Sequence, residues 1–128
     1  KRLSGIVVGR SDLSKSMGLQ KKNVNDKSVI QVAEMAFRAA RTYGLQTKMG
    51  GTVSQNSVSV ITKLFQDKLL DKFETRAVVF SIKDNNNILN SVKKALEYEQ
   101  MLLKKRHHFH DVKAKFFLDR VTNIEERK

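Results

Sequence analysis

The chain of 128 residues contains no cysteine, no proline and no tryptophan. Without cysteine there is no disulfide framework, no thiolate nucleophile and no cysteine-ligated zinc or iron–sulfur centre. No stretch of the sequence approaches the roughly 18 to 20 consecutive apolar residues that a membrane-spanning helix needs. We therefore expect a cytoplasmic protein whose partners do not include a membrane.

Charge is abundant, with 25 Lys and Arg against 13 Asp and Glu, a formal net charge of +12. Such an excess indicates either lysine-rich solvated faces or a surface for nucleic acid. The densest basic run is Lys104–His110, but aromatic side chains do not alternate with its charges as a base-stacking surface requires. Nucleic acid is therefore a possible but not favoured partner, and a small basic nucleic-acid-binding module is the alternative function. His107 and His110 share a helical face, yet the neighbouring lysines would repel a metal, so a solvated face is favoured.

Hydrophobic residues make up 40% of the chain, which is enough for one core. Along the chain, their spacing alternates between short runs typical of strands and the period typical of helices. Short apolar runs predict strands, and stripes at helical spacing predict three helices. The first begins near Asn25 or Asp26, the second near Ser54 or Ser57, and the third near Asn85. This order predicts an α/β fold with parallel strands, in which chemistry lies at the carboxyl ends of the strands. The predicted strands are Leu3–Val8, Leu45–Met49 and Phe73–Ile82, and the predicted functional segments are Gly9–Gly18, Met49–Val53 and Phe80–Asp84.

A carboxylate follows the first predicted strand in the polar segment Gly9-Arg10-Ser11-Asp12. Asp12 is placed to bind a hard divalent cation, and the backbone amides around Ser11 and Asp12 are placed to bind a substrate carboxylate. The alternative is that Asp12 only caps the following turn. After the second strand, Gly50 and Gly51 either let backbone amides approach an anion or make an ordinary turn. On the third strand, Glu74 and Arg76 share a face, as a buried ion pair or as a solvated pair.

Three segments in order resemble a known family: Ile6–Gly18, Gly44–Gly51 and Leu70–Phe80. The first is similar to the strand–loop signature of the 2-oxo-acid aldolase and citrate-lyase β-subunit-like family, which runs from an apolar strand into Gly-Pro-small-Asp-Leu-Ser. Arg10 stands where many relatives have proline. The resemblance covers most of residues 3–103 and implies the C-terminal portion of a (β/α)₈ barrel. Residues 1–84 would be its strands six to eight with their helices, and residues 85–128 a C-terminal helical segment.

The same resemblance implies a carbon–carbon lyase that acts on a 2-oxo acid or an acyl-CoA-type substrate with Mg²⁺ or Mn²⁺. Asp12 would be a metal ligand, while Ser11, Asp12, Gly50 and Gly51 would bind the small-molecule carboxylate; no catalytic residue is assigned. A whole barrel takes about 250 residues, so the remainder would come from the same longer chain or from a partner. We expect this segment to be inactive alone and the protein to be a homo-oligomer. A further possibility is a scaffold without catalysis whose C-terminal helices contact a neighbouring chain.

Overall fold

The computed structural model describes residues 3–83 and 87–127, which form one four-stranded sheet and four α-helices. Residues up to Leu96 form one compact unit, and residues from Glu97 form a second. No helix in these ranges is long and apolar enough to cross a membrane. The elements are β1 (Gly5–Gly9), α1 (Arg10–Ser16), α2 (Lys27–Thr42), β2 (Gln46–Gly50), α3 (Val58–Gln66), β3 (Lys72–Glu74), β4 (Val79–Ser81) and α4 (Ile88–Glu125).

The strands lie in the order β1-β2-β3-β4. β1 and β2 are parallel and in register over five residues, from Gly5 beside Gln46 to Gly9 beside Gly50. β2 and β3 are also parallel, whereas β3 and β4 are antiparallel. The carboxyl ends of β1, β2 and β3 therefore meet at one edge of the sheet, which we call the carboxyl edge. The opposite edge is called the amino edge.

The prediction of one strand over Phe73–Ile82 is wrong. The chain reverses between β3 and β4 in a turn that is closed where the Thr75 amide donates to the Val78 carbonyl at 2.9 Å. The barrel prediction is also wrong, because a (β/α)₈ barrel consists of parallel strands that are each followed by a helix. Here two of the four strands have only three residues, and the last pair is antiparallel with no helix between its members.

The hydrophobic stripe of α2 packs against one face of the sheet as its spacing predicts. Val29, Ala33, Phe37 and Ala40 are buried, and the helix ends where Gly44 takes a φ of +66°. The Leu45 amide then donates to the carbonyl of Ala40 at 3.0 Å, which is a hydrogen-bond pattern typical of helix ends. Of the two predicted starts, Ser57 is the residue that directly precedes α3. Ser54 begins a short 3₁₀ turn, Gln55–Ser57, and forms a reciprocal capping box with Ser57.

α4 begins in the first unit, where Ile88, Val92 and Ala95 are buried in the core. The apolar stripe predicted from the spacing of this helix also includes Leu89 and Leu103, and both are exposed, so that prediction is only partly correct. The predicted start at Asn85 and the predicted boundary at residue 84 lie outside the described residues. In the second unit α4 is a single helix, and every described side chain from residue 103 onward is exposed.

Candidate functional site

The segment after β1 is a helix rather than the predicted polar loop. α1 begins directly at Arg10, and its last turn ends before Gly18, which has a φ of +72°. Ser14 is buried, and its hydroxyl donates a hydrogen bond to the Arg10 carbonyl one turn earlier in the same helix, at 2.8 Å. Asp12 consequently lies in the first turn of α1, where a negative charge is favourable. It is exposed, so it faces solvent at the carboxyl edge.

The turn after β2 packs tightly against the beginning of α1. Gly51 has a φ of +86°, and a Cβ placed on it would lie 2.6 Å from the Arg10 amide nitrogen and closer still to that of Ser11. The hydroxyls of Ser11 and Thr52 are joined by a hydrogen bond of 2.8 Å. Only glycine fits this approach, because it has no Cβ and tolerates a positive φ. The structure thus brings together the predicted substrate-binding residues of both segments, whose chemical roles stay predictions.

Arg10 is the most unusual charged residue of the carboxyl edge, because its side chain is fully buried. Its Nε donates to the Gly50 carbonyl at 3.2 Å, and one terminal nitrogen donates to the Gly51 carbonyl at 3.0 Å. The same terminal nitrogen lies 3.2 Å from the Ser57 hydroxyl, and the other donates to the side-chain oxygen of Asn25. These four bonds join one guanidinium group to three other chain segments, at Asn25, Gly50–Gly51 and Ser57.

All acceptors of the Arg10 guanidinium are uncharged oxygens. No carboxylate within the described ranges lies within ion-pair distance of it. Burial lowers the pKa of Arg10 to about 10, which still leaves the group charged at neutral pH. A buried charge is costly unless it is solvated by dipoles or paired. Here carbonyl, amide and hydroxyl dipoles solvate the guanidinium in place of a directly paired carboxylate.

Two carboxylates lie over neighbouring glycines on the sheet face opposite the core. A Cβ on Gly9 would lie 3.3 Å from Oδ2 of Asp12, and a Cβ on Gly50 would lie 2.8 Å from Oε1 of Glu74. Gly9 and Gly50 are register partners on adjacent strands, which run about 4.8 Å apart. Because neither glycine has a side chain, one carboxylate packs directly over the backbone of each. Glu74 also forms an ion pair with Lys48, whose Nζ lies 2.6 Å from Oε2.

The predicted relation of Glu74 to Arg76 is wrong, because the two residues do not share a strand face. Glu74 ends β3, whereas Arg76 lies in the following turn and is exposed. The segment Phe80–Asp84 is also absent from the carboxyl edge. β4 runs antiparallel, so its end leads to the amino edge, where the Ile82 amide donates to the backbone carbonyl of Asp71 at 2.9 Å. Asp84 itself lies outside the described residues.

The chemistry of the carboxyl edge suits a cation only in part. No group of three His, Asp or Glu that could hold a metal is found within residues 3–83 and 87–127. Mg²⁺ commonly takes only one or two protein carboxylates, with water and substrate oxygens completing its six ligands. Asp12 fits that requirement as a single exposed carboxylate. His107 and His110 are exposed on α4, and Nδ1 of His107 lies 2.8 Å from Asp111, in agreement with a solvated face.

Lys48 and Arg10 belong to this region but were not predicted as site residues from the sequence. Lys48 alternates with buried Thr47 and Met49, so its place on the open face was readable from the strand period. The burial of Arg10 was not readable, since its acceptors lie 15 to 47 residues further along the chain.

No protein-family model, curated protein or solved structure matches the chain. Function must therefore be inferred from the geometry of the carboxyl edge and from the motifs that form it.

Proposed function

We propose that the chain carries part of the active site of a cytoplasmic carbon–carbon lyase that depends on Mg²⁺ or Mn²⁺. The substrate is a 2-oxo acid or an acyl-CoA-type compound. The observation that carries the proposal is the contact of Gly51 with the backbone of Arg10 and Ser11. That contact joins two motifs, 40 residues apart, that resemble those of the 2-oxo-acid aldolase and citrate-lyase β-subunit-like family.

Each residue has a distinct role in this proposal. Asp12 binds the divalent cation, and the Ser11–Asp12 and Gly50–Gly51 backbone binds the substrate carboxylate. When bound, the cation supplies the positive charge that stabilises the negative charge developing on the 2-oxo oxygen as the carbon–carbon bond breaks. The open position of Asp12 over Gly9 supports this role, since the carboxylate is exposed to a ligand.

Metal binding tests the proposal without requiring turnover. In a calorimetric titration with Mn²⁺, we expect Asp12→Asn to weaken binding at least about tenfold, because the variant loses the anionic oxygen that a hard cation needs. Asp67→Asn is the matched control, since Asp67 is an exposed carboxylate at the end of α3, away from the carboxyl edge. Equal Mn²⁺ affinity in wild type and Asp12→Asn would contradict the metal role.

A basic nucleic-acid-binding module is the second candidate, and one observation favours it. Residues 104–120 carry six Lys or Arg against two Asp, and all of them are exposed on α4. Binding of this kind weakens steeply with salt, because each neutralised phosphate releases counterions. Lys104→Gln combined with Lys105→Gln and Arg106→Gln should then abolish retardation of RNA or DNA at low salt. Absence of any retardation by the wild-type chain would exclude this candidate.

A further inference from the structure

We propose that one face of α4 binds single-stranded nucleic acid. The inference goes beyond the lyase and rests on the second candidate function, a nucleic-acid-binding module, for which it names the binding face and the class of ligand. It concerns only the second unit, where every described side chain from residue 103 onward is exposed. The phosphates of the strand bind a line of cations, and its unpaired bases stack on the phenylalanines beside that line.

Three cations recur at every seventh residue of this helix, at Arg106, Lys113 and Arg120. Seven residues make nearly two turns, so the three side chains follow one line about 21 Å long, which we call the cationic line. No acidic residue stands three or four positions from any of them, and Asp119 lies about 100° from Arg120 around the axis. Within the described residues none of the three forms an ion pair. The cationic line is therefore open to an external anion.

Aromatic side chains border the cationic line on both sides. Phe109 lies three residues after Arg106, and Phe116 and Phe117 lie three and four residues after Lys113. Residues at these spacings are neighbours on a helix surface. The three rings are 53% to 62% exposed. Charged and aromatic residues do not alternate along the basic run in the sequence, but the helix makes them alternate around its axis, as on surfaces that bind single strands.

The order of charged and apolar groups across this face distinguishes among anionic partners. A partner helix or a bilayer surface needs apolar side chains along the middle of the contact and charges at its margins, because a charge buried in the middle is costly. On α4 the order is reversed, with cations in the middle and phenylalanines on both flanks. A single strand fits this order, since its phosphates form a line and its unstacked bases extend from it. In a duplex the bases are stacked inside and offer no faces to the rings.

Binding of single and double strands by the full chain tests the inference. In fluorescence polarisation at about 0.15 M salt, we expect an oligouridylate of about 16 nucleotides to bind about tenfold more tightly than an RNA duplex of equal length. Phe109→Leu combined with Phe116→Leu and Phe117→Leu should weaken binding of the oligouridylate about tenfold or more. Leucine keeps the apolar character and the helix propensity but has no ring on which a base can stack. Binding of heparin, a polyanion without bases, should not change.

A matched pair of charge variants locates the phosphates. Arg106→Gln with Lys113→Gln should reduce the slope of log affinity against log salt by about 1.4, because two phosphate contacts are lost. Lys104→Gln with Lys115→Gln removes the same charge from the opposite side of the helix and should change the slope less than half as much. Circular dichroism checks that all variants keep the helix.

The outcomes separate this inference from the functions on which it does or does not depend. Equal affinity for single strand and duplex, unchanged binding in the phenylalanine variant, or equal slopes in the two charge variants would overturn it, while binding by the wild type still supports a basic module. If the wild type binds no nucleic acid, both the inference and the second candidate fail. The Mn²⁺ titration of Asp12→Asn tests the lyase independently of either result.

Discussion

At each edge of the sheet one arginine joins several chain segments by hydrogen bonds, and the two arginines differ in burial and in the charge of their acceptors. Arg10 at the carboxyl edge is fully buried and donates only to neutral oxygens. Arg41 at the amino edge donates to the Lys68 carbonyl at 2.8 Å and pairs with the Asp71 carboxylate at 2.7 Å, and both side chains are one-third exposed. The guanidinium of Arg41 is therefore paired with a carboxylate that water can reach, whereas the guanidinium of Arg10 is buried and bonded only to neutral groups.

The two edges also differ in the polar groups that hold them together. Asp71 also accepts the Thr47 amide at 2.8 Å, so the amino edge joins β2, β3 and α2 through satisfied polar groups. The carboxyl edge instead holds a costly buried charge beside a turn with a positive φ. A positive φ also occurs at the amino edge, at Lys68, so the buried guanidinium rather than backbone strain distinguishes the two edges.

The largest effect is expected for Gly51→Ala. The added Cβ would lie closer to the backbone of Arg10 and Ser11 than van der Waals contact allows, and the φ of residue 51 is unfavourable for alanine. We expect a loss of about 3 kcal/mol or more in the free energy of unfolding, measured in urea. Gly44→Ala is the control, since Gly44 has a similar φ of +66° with open space around it. It should lose only about 1 kcal/mol; equal losses would show that packing at Gly51 contributes little.

A smaller difference is expected between the two arginines. Arg10→Met leaves buried acceptors without donors and should lower the free energy of unfolding by about 3 kcal/mol. Arg41→Met leaves partners that water can reach, so we expect about 1 kcal/mol. Chemical denaturation of both variants measures the comparison. A larger loss of unfolding free energy in Arg41→Met than in Arg10→Met would contradict this prediction.

Asp71 at the amino edge should make the fold sensitive to acid. Burial raises the pKa of Asp71, but the hydrogen bond and charge of Arg41 and the Thr47 amide outweigh it and hold the pKa below the ordinary value of 3.8. The stability from this carboxylate is present above the ordinary pKa and is lost as the pH falls through the lowered one. Urea midpoints measured across that range should fall less steeply in Asp71→Asn than in wild type. An unchanged slope would contradict the assignment.

The smallest effect concerns backbone strain at each edge. Thr52 at the carboxyl edge has a φ of +50°, and Lys68 at the amino edge has a φ of +57°. Lys68→Gly should raise the free energy of unfolding by up to about 1 kcal/mol, because only strain is removed. Thr52→Gly also removes the hydrogen bond to Ser11, so its gain should be smaller. Thermal denaturation distinguishes the two, and a larger gain in Thr52→Gly would reverse the comparison.

Much of the fold could be predicted because its signals are local. The stripe of α2, the glycine that ends it and the serines that begin α3 each act within a few residues. The split of Phe73–Ile82 was missed, since its turn depends on a single threonine and contains no glycine or proline. The helix after β1 was also missed, because its serines and glycine are typical of loops, whereas here Ser14 bonds back within the helix.

The amino-acid sequence by itself determined the α/β alternation, the amphipathic faces and the placing of Asp12 after a strand end, since periodicity and chain proximity act locally. Only the tertiary structure decided that Asp12 and Glu74 lie over neighbouring glycines and that Arg10 is buried beneath the Gly50–Gly51 turn. The hydrogen bonds of Arg10, for example, join residues that lie 15 to 47 positions apart in the sequence. They depend on strand register and close backbone packing, which no local pattern specifies.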